Sequence, residues 1–292
     1  MPRTPAGLVL AEQGPPSPRR RRLLRVFAAT LVLIVGIAGF VGVRTILAGF
    51  SPPTCWTTAP SAHVEVSPEQ AGNAATISAV ALSRGLSSRA ATIAIATALQ
   101  ESKLRNLRFG DRDSVGLFQQ RPSQGWGTVE QILDPIYASN AFFDKLVKVK
   151  DYLTRPLTEV AQEVQRSGAP AAYAQHEDEA TALAAALTGA APATLVCRLD
   201  PPSNRPTTAA LRSAITAEFG TASTGSGATV TVTADGASAW ALAAWAVARA
   251  DSLGVDRVEV GGRTWSRGDP QSWPTTATAQ RGTVSITLVT VR

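Results

Sequence analysis

The chain has 292 residues, a formal net charge of +6, two cysteines and two histidines. Six arginines and one glutamate in the first 25 residues account for +5 of that charge, which leaves +1 for the rest of the chain. The basic balance therefore belongs to the N-terminus and gives no support for nucleic-acid binding. The histidines and cysteines are too scattered to form a ligand cluster, so we predict neither a metal nor a cofactor.

Residues 26–43 form an apolar run of 18 residues directly after the arginines. A helix of that length spans about 27 Å, enough for the hydrocarbon core of a membrane. Since the positive charges precede the run, the N-terminus is expected to lie in the cytoplasm. We predict a basic cytoplasmic tail over 1–25, one transmembrane helix over 26–43 and an extracytoplasmic remainder at the cell membrane. The alternative is a signal peptide that is cleaved on export.

A helical block follows a short linker over 51–66. Ser67 to Gln70 form a capping box with proline at the first helical position, which predicts a helix to about residue 84. The next helix begins near Ser88 and is apolar on almost all sides up to Gln100, so we place it at the centre of a domain. Breaks at prolines predict further helices over 128–133, 135–148, 157–166 and 171–188. Together these elements predict a mainly α domain over 67–198.

The last third of the chain changes in character. Residues 199–227 have a linker composition around one possible helix, and residues 228–292 alternate strand, helix and strand patterns. We predict a small α+β domain there. Trp240 and Trp245 share one helix and are expected in its core, whereas Trp265 and Trp273 flank a turn and are expected to form a surface patch.

Cys55 and Cys197 bracket the predicted α domain. Outside the cytoplasm this arrangement favours a disulfide that closes a long loop. The alternative is a pair of free thiols.

Glu101 ends the apolar helix. A carboxyl group held at that junction loses contact with solvent, so its pKa should rise and it can remain protonated near neutral pH. A general acid that protonates a glycosidic oxygen needs this property. The alternative is a solvated glutamate at a helix end.

The surrounding motifs carry a resemblance. Glu101-Ser102, an irregular stretch and then Gly116-Leu117-Phe118-Gln119 resemble the core of lysozyme-like lytic transglycosylases and goose-type lysozymes. The wider segment over 68–189 looks like the lysozyme-like domain of exported actinobacterial cell-wall proteins. The resemblance implies that Glu101 is the catalytic acid and base, and that Ser102 and Gln119 belong to the sugar-binding cleft.

Two aromatic residues outside these motifs are further candidates for contact with the sugar. The families usually carry an A-Y-N-A-G segment, and Tyr173 is the only clean match within residues 172–176. It is expected to position a sugar or the catalytic carboxyl, with a core tyrosine as the alternative. Trp126 lies between two glycines, where an exposed indole would stack on a sugar ring; the alternative is a lid over the core.

A hydrolase also needs a second carboxylate, about 5 Å from the acid for retention and about 6.5–9.5 Å for inversion. Asp111 and Asp113 lie on the irregular stretch and are the candidates. The favoured alternative is that they pair with Arg108 or Arg112. A lytic transglycosylase needs no such residue, because the 6-hydroxyl of muramic acid attacks from within the substrate.

The last domain resembles a module appended to actinobacterial cell-wall hydrolases, through residues 253–258 and 261–265. Related modules often end in a histidine-bearing strand that this chain replaces with residues 282–285, so a binding or docking role is expected. The sequence therefore favours a membrane-anchored enzyme that cleaves peptidoglycan glycan strands, either a lytic transglycosylase or a muramidase. The alternative is a non-catalytic wall-binding or scaffold protein with a lysozyme-like fold.

Overall fold

A computed structural model describes residues 52–58, 63–166, 171–202, 206–276 and 282–290, together with residues 19, 27, 30–40 and 42. The predicted tail over 1–25 lies outside the described residues apart from Arg19, as do residues 51 and 59–62 of the predicted linker. The chain divides into two units, Met1–Pro52 and Pro53–Arg292. The second unit contains the elements described below.

The predicted fold class is wrong at the N-terminus. No helix formed by the described residues is both long enough and apolar enough to cross a membrane. Of the predicted span over 26–43, residues 26, 28, 29, 41 and 43 lie outside the described residues.

The second unit combines helices with two antiparallel sheets, rather than a mainly α part followed by an α+β part. Its helices are α1 (Pro68–Ser83), α2 (Ser88–Ser102), α3 (Val129–Ile132), α4 (Pro135–Leu146), α5 (Leu157–Gln165), α6 (Glu177–Leu187), α7 (Thr208–Phe219), α8 (Gly236–Ala248) and α9 (Ala250–Leu253). Short 3-10 helices lie at Pro122–Gln124 and Ala174–His176.

Helices α1 and α2 form where the sequence predicts them. The side chain of Ser67 accepts from the backbone of Gln70, and Gln70 reciprocates, so the predicted capping box is confirmed. Helix α2 is buried on almost all sides and packs against α1, α4, α5 and α6. This central position follows from its lack of a polar stripe, and it fixes the end of α2 where Glu101 lies.

A small three-stranded sheet contains both cysteines. Its order is β2 (Glu65–Val66), β1 (Thr54–Thr57) and β3 (Leu195–Arg198), all antiparallel. Cys55 lies directly opposite Cys197 in the register of β1 and β3, and the two form a disulfide across 142 residues of sequence. The predicted pairing is therefore confirmed.

The second sheet contains β4 (Thr224–Ser226), β5 (Thr229–Thr233), β8 (Thr283–Leu288), β6 (Val255–Val260) and β7 (Arg263–Ser266), in that order. Helix α8 packs on this sheet and also on α1, α6 and β3.

The predicted surface patch of Trp265 and Trp273 is wrong, because both indoles are buried. Trp265 occupies the inward position of β7, and the Trp273 indole nitrogen donates to the carbonyl of Leu195 at 2.9 Å. Trp245 is buried as predicted, and Trp240 is partly buried. The tryptophans of this part therefore serve packing.

Candidate functional site

The end of α2 is held by a sharp turn. Lys103 and Leu104 both adopt left-handed backbone conformations, which are uncommon for residues other than glycine. Two side chains from α1 fix this turn: Gln70 donates to the carbonyl of Lys103 and Asn73 donates to that of Leu104, each at 2.8 Å. Such conformations persist only where the surroundings enforce them. Glu101 is therefore presented from a rigid helix end.

The Glu101 carboxyl is half-buried and has two neutral partners. The Tyr173 hydroxyl donates to its Oε1 at 2.6 Å, and the Gln165 side chain also hydrogen-bonds to it. Burial raises the pKa of Glu101 above its ordinary 4.5, and the hydrogen bonds from Tyr173 and then Gln165 oppose that rise. The net effect is a carboxyl group that holds its proton to higher pH.

Tyr173 is fully buried, so it contacts the carboxyl and does not reach solvent. The turn that follows Tyr173 also contacts the end of α2, because the Gln175 side chain donates to Gln100 Oε1 at 3.0 Å. A nitrogen of His176 lies 3.2 Å from the same oxygen. Residues 173–176 thus support the Glu101 carboxyl group and the end of α2 from one side.

Ser102 lies behind the wall of the cleft. The Ser102 hydroxyl donates to the carbonyl of Leu117 at 2.7 Å and accepts from the backbone N–H of Arg105. Ser102 is 5% exposed. Gly116 beside it has φ of +80°, and a Cβ there would lie 2.7 Å from the carbonyl oxygen of Ile132. Ser102 therefore ties the helix end to the segment over 116–119.

Gln119 lies in the cleft itself. Its backbone is left-handed, with φ of +47°, and its side-chain amide donates to the carbonyls of Gly116 and Phe109 at 3.3 and 3.4 Å. A Cβ on Gly110 would overlap the Gln119 amide, so the glycine at 110 leaves the space that this side chain fills. The amide is thus fixed on the same surface as Glu101.

Glu101 and Gln119 line one cleft of about 450 Å³ together with Trp126. This volume lies within the range of ligand-binding pockets. Sequence reasoning missed several residues of the cleft, because no motif marks them. They are Ser114, Arg121, Gln124, Gln165 and Arg166. Gln165 is the most telling omission, since it contacts Glu101 from the far end of α5 and also donates to the carbonyl of Phe118 at 2.7 Å.

The two candidate second carboxylates differ. Asp113 accepts from Arg121 Nε and from the backbone of Ser123, each at 2.8 Å, and these hydrogen bonds hold its pKa well below its usual range. Its partner is therefore Arg121, and the predicted pairing with Arg108 or Arg112 is wrong for this residue. Asp111 lines the cleft, is exposed and lies 3.9 Å from Arg112 Nε.

Trp126 is 6% exposed and lies at the edge of the cleft. The Lys145 ammonium lies 3.1 Å from the centroid of its ring. A cation therefore covers one face of the indole. Trp126 fits the alternative of a lid over the core better than that of an exposed indole that stacks on a sugar ring.

No protein-family model matches this chain, and no curated protein is significantly similar to it.

Proposed function

We propose that this protein cleaves peptidoglycan glycan strands at the β-1,4 bond between N-acetylmuramic acid and N-acetylglucosamine. The observation that carries the proposal is the half-buried Glu101 carboxyl, which faces a cleft and is held by the Tyr173 hydroxyl at 2.6 Å. Because its pKa is raised by burial, it can donate a proton to the leaving glycosidic oxygen. Gln119 is fixed in the same cleft and can bind the sugar.

For the second step, in which C1 of the sugar is attacked, the carboxylates available in the cleft favour a lytic transglycosylase over a hydrolase. Among the described residues that line the cleft, Asp111 is the one carboxylate besides Glu101, and it is exposed and lies 3.9 Å from Arg112 Nε. In the proposed step the C1–O bond breaks as Glu101 gives its proton to the leaving oxygen. The 6-hydroxyl of muramic acid then forms the new bond to C1 and returns its proton to Glu101. The product is a 1,6-anhydro sugar, and no water is consumed.

Tyr173 supports both steps. After the first proton transfer the Glu101 carboxylate is negatively charged in a half-buried place, where an unpaired charge is costly. The Tyr173 hydroxyl stabilises that charge, and Gln165 adds a second hydrogen bond. Both donors are neutral, so they lower the pKa of Glu101 less than a cationic partner would, and burial keeps the carboxylate basic enough to recover its proton.

The disulfide supports a place outside the cytoplasm. Disulfides persist in oxidising compartments and are rare where thiols are kept reduced. The bond between Cys55 and Cys197 therefore fits an extracytoplasmic protein, which is also where the glycan strands lie.

The test compares full-length wild type with Glu101→Gln on purified cell wall. We expect wild type to release fragments with 1,6-anhydro ends, and Glu101→Gln to release about 10³-fold fewer. Glu179→Gln is the matched control, because Glu179 is also a partly buried glutamate with a raised pKa but does not line the cleft. It should cleave like wild type.

Three other outcomes are informative. Reducing ends in place of anhydro ends would show a hydrolase and would give Asp111 a role. Equal release by wild type and Glu101→Gln would remove Glu101 as the acid. If neither protein releases fragments but both sediment with the wall, the non-catalytic wall-binding alternative is correct.

A further inference from the structure

A second cavity of about 510 Å³ adjoins the Glu101 cleft. The two share four lining residues, Gln124, Trp126, Gln165 and Arg166. The walls of the second cavity carry Lys145, Lys148 and Arg166, with Val149 and Val164 beside them. We call Lys145, Lys148 and Arg166 the basic pocket. A glycan chain seated at Glu101 would therefore have three cations next to it.

The charge of this pocket is not balanced from within. Glu163 is the one acidic residue among its described lining, and its Oε2 accepts from Arg155 Nη1 at 2.8 Å. In the part of the chain that the structure describes, no carboxylate lies within 4 Å of the charged groups of Lys145, Lys148 or Arg166. The pocket therefore has a net positive charge.

Placing these cations together has a cost that an anion would relieve. The Lys145 ammonium lies over the Trp126 ring, and its burial, followed by the nearby charges of Arg166 and Lys148, lowers its pKa. Like charges held close together are unfavourable, and a bound anion converts that repulsion into attraction. Val149 and Val164 supply apolar walls that strengthen such an interaction.

We propose that the basic pocket binds a carboxylate carried by the glycan strand, next to the bond that is cut at Glu101. This inference rests on the proposed function. The lactyl ether of muramic acid projects from the sugar ring and ends either in a free carboxylate or in a stem peptide that bears carboxylates. Both sources present the same chemistry, and the experiment separates them.

The experiment measures binding of full-length Glu101→Gln to purified wall by sedimentation, so that cleavage does not interfere. The wall is used intact, after carbodiimide-mediated amidation of its carboxylates, and after enzymatic removal of its stem peptides. Lys148→Gln/Arg166→Gln is then added to Glu101→Gln. The matched control is Lys150→Gln/Arg257→Gln, which removes the same charge from two exposed residues that do not line either cavity.

We expect Lys148→Gln/Arg166→Gln to bind intact wall about tenfold more weakly, and the control to change binding less than twofold. Amidated wall should bind the parent protein about tenfold more weakly and should show no further loss with the double substitution. Both differences should shrink as salt is raised, because exposed charges are screened. Removal of a stem peptide frees the lactyl carboxylate to which it was joined. Stem-free wall that binds at least as tightly as intact wall therefore identifies the lactyl carboxylate, and weaker binding identifies the stem peptide.

The inference and the proposed function fail in different ways. If the double substitution leaves binding to intact and amidated wall unchanged, the basic pocket does not bind a carboxylate, whatever the enzyme assay shows. If wild type cleaves no wall but binding still depends on Lys148, Arg166 and the wall carboxylates, the pocket stands and the catalytic proposal falls.

Discussion

Two glutamates of this protein occupy the same place on their helices and have opposite surroundings. Glu101 is the penultimate residue of α2, and Glu218 is the penultimate residue of α7. Burial raises the pKa of both carboxyl groups above the ordinary value of 4.5. A search for perturbed carboxyls alone would therefore mark both as candidates for acid–base chemistry.

The two carboxyl groups differ in their hydrogen-bonding partners and in their access to solvent. Glu218 is 3% exposed, accepts from the Trp245 indole nitrogen at 2.7 Å and lies 3.5 Å from Arg249 Nη2. Glu101 faces an open cleft and has neutral partners. An enclosed carboxyl beside a cation can hold helices together, whereas an open one beside neutral donors can exchange a proton with a ligand. Access to a ligand, rather than the raised pKa, distinguishes the functional candidate.

The largest expected effect tests that distinction through activity. Glu101→Gln should lower the rate of glycan cleavage by about 10³-fold, because the amide cannot donate the proton, while the folded state remains stable. Glu218→Gln should keep the rate within about twofold of wild type in native buffer. Release of 1,6-anhydro ends measures both rates. A Glu218→Gln variant that loses activity while still folded would break the comparison.

The next largest effect tests the same distinction through stability. Glu218→Ala leaves Arg249 and the Trp245 indole without their buried acceptor, so it should lower the free energy of unfolding by about 3 kcal/mol. Glu101→Ala should lower it by less than about 1 kcal/mol, because water in the cleft can replace the lost hydrogen bond. Urea unfolding followed by tryptophan fluorescence measures both. Equal losses in the two variants would show that Glu101 is also a structural residue.

A third change alters only the partner of Glu101. Tyr173→Phe removes a donor that favours the charged carboxyl, so the pKa of Glu101 should rise further and the alkaline limb of the activity profile should move to higher pH. The rate should fall about tenfold, since the carboxylate formed during the reaction loses a stabilising hydrogen bond. Tyr152→Phe, outside the cleft, serves as control. A lower rate with an unmoved alkaline limb would mean that Tyr173 acts through packing alone.

Local patterns predicted the helix ends well. The capping box at Ser67 and the apolar run after Ser88 depend on contacts within a few residues, and the structure confirms both elements. The position of Glu101 at the end of a buried helix follows from them. Local sequence patterns could not identify the partners that reach Glu101 from distant parts of the chain. Gln165 reaches the carboxyl from α5, and no periodicity or motif links it to Glu101.

Two errors in the placement of side chains share the same cause. Asp113 was expected to pair with a near neighbour, yet the irregular segment turns back and brings Arg121 to it. Trp273 was expected on the surface, and its indole instead crosses to the carbonyl of Leu195 in the other sheet. Both outcomes depend on tertiary contacts.

The smallest expected effect concerns how stability changes with pH. A carboxyl whose pKa is raised on folding binds more protons in the folded state, so it lowers stability as pH rises from about 4.5 through the raised value. The lowered pKa values of Asp113 and His176 act in the opposite direction, so the prediction concerns differences between proteins.

The free energy of unfolding of Glu101→Gln minus that of wild type should therefore grow as pH rises through this window, and the same holds for Glu218→Gln. Urea unfolding at a series of pH values measures both differences. Because Glu218 is enclosed and Glu101 can be solvated from the cleft, the growth should be larger for Glu218→Gln. The opposite order would mean that the Glu101 carboxyl is the more strongly desolvated of the two, and that the cleft excludes water before a substrate enters.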